Sequence, residues 1–242
     1  MMPLNLFRLQ LMESVAKPAR SVVRLGVTVL LALPFIFVNM PASVKASGLV
    51  MVILFTTFFG TAIAHTRLCE DGRFTRLRML PKSPLVLWLD LVLASAINRI
   101  VPAALLLAGF IFINCPGISI ASMIYIASLL STVVVLLVSL ATLIGHIARS
   151  NGQVHLLGAL ACGIISFVSG MIPTVPRVAS LTIVLNVNPL FQLQAALNSL
   201  INGTLTVSTT AQTLSAAVLI LLGFGVMLRW ATGSINLSTQ KN

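Results

Sequence analysis

The stretch from Ala46 to His65 contains no acidic residue, no lysine and no arginine, and it is one of several such runs in the chain. A helix rises about 1.5 Å per residue, so about 20 apolar residues cross the roughly 30 Å hydrocarbon layer of a bilayer. The apolar residues follow one another without the alternation that a membrane-barrel strand needs, which favours helices. Only 8% of the 242 residues are charged and 58% are hydrophobic, whereas soluble domains carry about 25% charged residues. A chain so poor in charge cannot clothe its own surface in water. It reads as a single all-α integral membrane domain over residues 1–242.

Six transmembrane helices are expected, at about 25–40, 46–65, 91–114, 118–147, 154–172 and 212–228. The third belongs to a longer apolar stretch, Leu85 to Asn114. As a helix that stretch is about 45 Å long, more than the hydrocarbon needs, so its first turns should reach into the interface. Arg99 then falls near the inner boundary, where a long side chain can snorkel to the headgroups. The other reading places Asn98 and Arg99 on a translocation path.

Charge orients the bundle. The chain has 15 basic and 4 acidic residues, a net charge of +11. With the N-terminus inside, Arg8, Lys17, Arg20, Arg24, Arg67, Arg73, Arg76, Arg78, Lys82, Arg149, Arg229 and Lys241 are cytosolic, and only Lys45 and Arg177 are outside. That bias is the positive-inside pattern, with both termini cytosolic and a multi-pass chain in the cell inner (plasma) membrane. It accounts for the basic balance through membrane lipid, without nucleic acid.

The connection from Pro173 to Ala211 lies outside in this topology and is not polar. Asn188 suits an N-cap, Pro189 the first helical position and Gly203 a C-terminal stop. An interfacial or re-entrant helix from Pro189 to Asn202 is expected before the last span. Its apolar face, including Phe191 and Leu197, suggests a gate over the extracellular exit, formed by Pro189, Phe191 and Leu197.

No catalytic constellation is visible. The acids are Glu13, Glu70, Asp71 and Asp90, none at mid-membrane, which disfavours a proton- or sodium-coupled carrier. No lysine follows a glycine, so no phosphate-binding loop is present, and any nucleotide must be bound by another chain. Cys69, Cys115 and Cys162 have no metal or redox spacing. His65, His146 and His155 fall near cytosolic span ends, where interfacial histidines are ordinary. The chain is expected to carry no metal, no cofactor and no enzymatic activity.

The charged loop TRLCEDGRFTRLRMLPKSP, residues 66–84, sits between the second and third spans. Phe74, Leu77 and Leu80 recur at a spacing of three, so a short amphipathic helix is expected, stopped by Pro81. Lipid anchoring explains a basic helix but not the acidic start, Glu70-Asp71-Gly72.

The arrangement Glu70-x-Gly72, Leu77, Pro81 resembles the cytosolic loop of type 2 ABC transporter permeases, the membrane subunits of many exporters. Ser169-Gly170-Met171-Ile172-Pro173, then Asn188-Pro189-Leu190 and Gly203, is similar to that family's stretch after the fifth span. The likeness covers roughly residues 5–230, with Leu4 to Ser21 in the place of an N-terminal amphipathic helix. This chain carries Arg73 where the family often has threonine. The resemblance implies a permease paired with a second copy or a related permease through its first and fifth spans. It also implies a separate ABC ATPase subunit, which holds ATP and Mg and docks on the loop. Glu70, Asp71, Gly72, Arg73, Phe74 and Leu77 are then the coupling residues, with Phe74 and Leu77 plugging a groove on the ATPase and Glu70 pairing with its basic rim. The alternatives are an ATP-independent channel or secondary carrier, and a membrane enzyme or assembly factor. The scarcity of Trp and Tyr against twelve Phe tilts the cargo toward hydrophobic or amphipathic molecules. A cysteine introduced as Gln240→Cys should resist a membrane-impermeant thiol reagent in intact cells; labelling from outside would overturn the topology.

Overall fold

The computed structural model describes residues 18–79, 83–148, 150–171, 185 and 188–205. The expected last span at 212–228, the N-terminal residues up to 17 and most of the connection after the fifth span lie outside the described residues. Within them the chain folds into helices α1 (Pro18–Phe37), α2 (Ala42–Glu70), α3 (Arg73–Arg78), α4 (Pro84–Asn114), α5 (Ile120–Ile147), α6 (Asn151–Val168) and α7 (Pro189–Ile201). No strand occurs among the described residues.

Side-chain caps set where several helices begin. Ser83, Ser119 and Ser150 accept bonds from the backbone N–H groups of Val86, Ser122 and Gln153, starting α4, α5 and α6. Asn188 accepts from Leu190 N at 3.0 Å, and Pro189 opens α7, as the sequence led us to expect. Each cap satisfies one of the amide donors that a helix start leaves without a partner.

Four helices are long and apolar enough to cross a membrane: α2, α4 from Val86, α5 and α6. This fits an α-helical membrane protein, yet the described residues hold four crossing-length helices rather than six. The expected first span is shorter: the apolar part of α1 is Leu25–Phe37, because the helix stops at Phe37 and Pro41 precedes the next one. Conversely α2 runs past His65 to Glu70, so the start of the expected loop is helical. The outer surface is apolar, with Leu30, Phe112, Ile120, Ile124, Leu156 and Leu160 all largely exposed. That suits lipid and would be costly in water.

Helix α2 lies at the centre and touches every other described helix. Small residues let it do so. Phe35 of α1 lies over Gly48, the Arg99 guanidinium of α4 lies over Gly60, and Phe59 lies over Gly158 of α6. At Gly145 of α5 the approach is backbone to backbone: a methyl there would stand 2.6 Å from the Ala62 carbonyl oxygen. Thr66 Oγ1 donates to the Gly145 carbonyl at 2.9 Å across the same crossing.

Loops tie the ends. Lys45 Nζ donates to Asn114 Oδ1 at 2.7 Å, and Asn114 Nδ2 donates to the Ile36 carbonyl at 3.3 Å. These bonds join α1, α2 and α4 at the end where α2 begins. The α2–α5 crossing yields a matched pair of tests. Gly145→Ala should lower the thermal unfolding midpoint in detergent, since overpacking a tight contact costs about 1–3 kcal/mol. Gly109→Ala, in α4 with nothing within 4 Å of the added methyl, should be neutral or stabilising, because alanine exceeds glycine in helix propensity by about 1 kcal/mol.

Candidate functional site

The loop between α2 and α4 is built from its glycine outward. Helix α2 ends with Asp71 N donating to the Arg67 carbonyl at 2.9 Å and Gly72 N donating to the Cys69 carbonyl at 3.1 Å. Gly72 has a φ of 66°, a left-handed conformation that costs glycine nothing. The turn lets the chain reverse into α3, a six-residue helix. A helix this short has no stability of its own and needs tertiary support.

Phe74 supplies that support. Its side chain is 5% exposed, packed with Leu87 and Leu91 of α4 and flanked by Leu68, Cys69 and Leu77. The ring meets His65 and His146 edge-on, at 5.5 and 5.3 Å between centroids. Trp88 closes the group at 5.8 Å from His65 and 6.1 Å from His146. Phe74 therefore points into the chain's own packing and does not offer itself to a partner's groove. The sequence reading had this ring plug a groove on an ATPase; here it is packed against Leu87 and Leu91, which gives the six-residue helix the tertiary support it needs.

Glu70 is also engaged within the chain. Its two carboxylate oxygens accept from the Asn151 backbone N–H and from Asn151 Nδ2, each at 3.1 Å. A carboxylate at the first turn of α6 is favoured by the partial positive charge of the helix start. The bond fastens the end of α2 to the start of α6. So the structure pairs Glu70 with Asn151, where the sequence reading paired it with a basic rim on another protein. Asp71 and Arg73 approach at 3.9 Å, both more than half exposed, a geometry that contributes little to stability. The outward face of the loop is then Asp71, Arg73, Thr75, Arg76 and Met79, while Leu77 is half-buried.

At the opposite end of α2 stands α7. Gln194 Nε2 donates to Ser47 Oγ at 2.8 Å, and Asn188 Nδ2 donates to Ser169 Oγ at 2.9 Å. Its apolar face packs on α2 and α5, with Pro189, Leu190, Leu193 and Leu197 buried and Phe191 half-buried. Leu197 is fully enclosed, so the helix is seated on the bundle rather than floating in a leaflet. A polar substitution at Leu197 would therefore damage the core itself.

Arg99 departs from the snorkelling expectation. It is 5% exposed, and its Nη1 donates to the Thr56 carbonyl at 3.5 Å while the guanidinium covers Gly60. It lies inside the helix packing instead of reaching along α4 to an interface. Its neighbour Asn98 is half-buried.

Sequence spacing did not bring out the contacts of His65, Cys69, Trp88, His146 and Asn151 at the α3 end. His65 and Cys69 stand one turn apart, a signal readable in the chain, but their meeting with His146 needs the α2–α5 crossing. The three ligand atoms lie within 4.8 Å of one another. His155, grouped with them by sequence, instead stacks on Phe59 at 6.3 Å. Comparison with protein-family models, curated proteins and solved structures gives no match. Replacing Phe74 with alanine should abolish amide-exchange protection over residues 73–78 while leaving the α2–α5 core protected; Arg76→Ala should leave both unchanged.

Proposed function

We propose that this chain is the membrane-spanning subunit of an ATP-driven exporter of the type 2 ABC class, placed in the inner (plasma) membrane with both termini cytosolic. In this reading it pairs with a second permease copy, and a separate ATPase subunit carrying ATP and Mg docks on the α3 end. The single observation that supports it most is how α3 is held. Its apolar face is turned onto the chain itself through Phe74, and among the described residues of the loop only Met79 offers an exposed apolar side chain to lipid. A lipid-anchoring helix needs a free apolar face. What remains outward among the described residues is a mainly polar ledge of Asp71, Arg73, Thr75 and Arg76 with Met79 at its end, suited to a soluble partner.

The same construction makes a lever. A push on the exposed face of α3 passes through the buried Phe74 ring into α4 at Leu87 and Leu91, and through His65 and His146 into α2 and α5. Closely packed interiors transmit such displacement because they are poorly compressible. Glu70 carries part of it to α6 through Asn151. Pro189, Phe191 and Leu197 at the other end would then follow α2 and α5. The coupling roles divide accordingly: Asp71 and Arg73 touch the partner, Gly72 turns the chain, and Glu70, Phe74 and Leu77 pass the motion inward.

One observation favours a second reading, an ATP-independent carrier: the buried Arg99 beside Asn98 is the kind of group that holds an anionic cargo. The two readings separate in one experiment. Tagged chain purified from its native membranes should bring down a protein photolabelled by azido-ATP. The paired charge reversal Arg73→Glu and Arg76→Glu should remove that protein, while the chain's own monodispersity is kept. No labelled partner with the wild-type chain would overturn the exporter reading and leave the carrier.

A further inference from the structure

The α2–α5 crossing gathers chemistry that neither lever nor gate requires. His65 and Cys69 are one turn apart on α2 and share a face. That i, i+4 spacing is the one by which helices present two ligands to one metal. His146 comes from α5, next to Gly145, where the two backbones touch through Ala62. Ligand atoms of all three residues lie within 4.8 Å of one another. A tetrahedral ion with bonds of about 2.0–2.3 Å spaces its donors about 3.3–3.8 Å apart, so modest side-chain rotation closes the set.

A second observation points the same way. His65 is 7% exposed, and its Nε2 is buried with no hydrogen-bond partner. A buried polar atom left unmade costs free energy that ordinary packing does not return. Binding an ion would repay that cost, and the surrounding rings of Phe74 and Trp88 form the dry wall that strengthens metal–ligand bonds.

We propose that His65, Cys69 and His146 bind one transition-metal ion of the Zn(II) class. Two imidazoles and a thiolate suit borderline and soft cations such as Zn(II), Co(II) and Cu(I), and do not suit Mg(II) or Ca(II), which need oxygen donors. The nearest carboxylate, Glu70, is held by Asn151. Three protein ligands leave a fourth position for water or a small ligand. Cys69 gives up its thiol proton as the metal–sulfur bond forms, so binding weakens as the pH falls. The ion would cross-link α2 to α5 directly behind Phe74 and thereby stiffen the footing of α3. The site stands whether or not the chain works with an ATPase.

The test uses the full chain in detergent micelles, stripped with EDTA and titrated with Co(II) and then Zn(II). One equivalent of Co(II) per chain should bind with thiolate-to-cobalt charge-transfer absorption in the near ultraviolet, and Zn(II) should bleach it. Cys69→Ser should remove that absorption. His146→Gln should weaken Zn(II) at least about tenfold, the lower bound seen when even an outer-shell partner of a ligand is lost. His155→Ala should change nothing. Absence of the charge-transfer band in the wild-type chain would overturn the proposal without recourse to any variant. So would its persistence in Cys69→Ser, which would place the ion on Cys115 or Cys162, or undiminished affinity in His146→Gln.

Discussion

Lipid tails are as apolar as leucine, so helices in a bilayer gain little by burying aliphatic side chains against one another. Their association rests on closeness of packing and on polar groups that meet inside. In this chain both are concentrated on α2. Its contacts with α1, α4, α5 and α6 fall at Gly48, Gly60, Gly145 and Gly158, where an aromatic ring, a guanidinium or a backbone carbonyl occupies the space a larger residue would fill. The crossing at Gly145 governs the rest. It brings Ala62 and Thr66 of α2 against α5, and that one approach sets the separation of His65 from His146. The seat of Phe74, and through it the position of α3, follows.

The two ends of α2 are treated differently. At its start the polar groups are matched within the chain: Lys45 with Asn114, Ser47 with Gln194 and Ser169 with Asn188. Those bonds close α4, α6 and α7 around the helix. At its finish the polar residues are split. Glu70 is used internally on Asn151, while Asp71, Arg73, Thr75 and Arg76 remain outward. This end holds itself together and still shows polar side chains on its surface. The buried Arg99 is the exception to this economy, a charge kept inside the bundle against the backbone of α2.

Much of this was legible in the residues themselves. The places of α2, α4, α5 and α6 follow from unbroken apolar runs, because a backbone in hydrocarbon must satisfy its own hydrogen bonds. The start of α7 was written in Asn188-Pro189 and the turn before α3 in Gly72, since caps and left-handed turns depend on a few local torsions. The direction in which Phe74 points was not legible. Its spacing with Leu77 defines an apolar face, but the neighbours of that face, Leu87 and Leu91, come from another helix. The burial of Arg99 was hidden for the same reason: its cradle is Gly60, thirty-nine positions earlier in the chain.

The sequence by itself therefore determined a helical, lipid-suited chain, the approximate places of its long helices and the presence of a charged turn between two of them. Those properties depend on residues near one another in the chain, through hydrophobic length, capping and glycine torsion. Only the tertiary structure decided that Glu70 reaches Asn151, that Phe74 faces inward, and that His65, Cys69 and His146 share one small volume. Each of these joins segments far apart in sequence, and what brings them together is the distance of closest approach between α2 and α5, a quantity set by packing at Gly145 and written in neither helix alone.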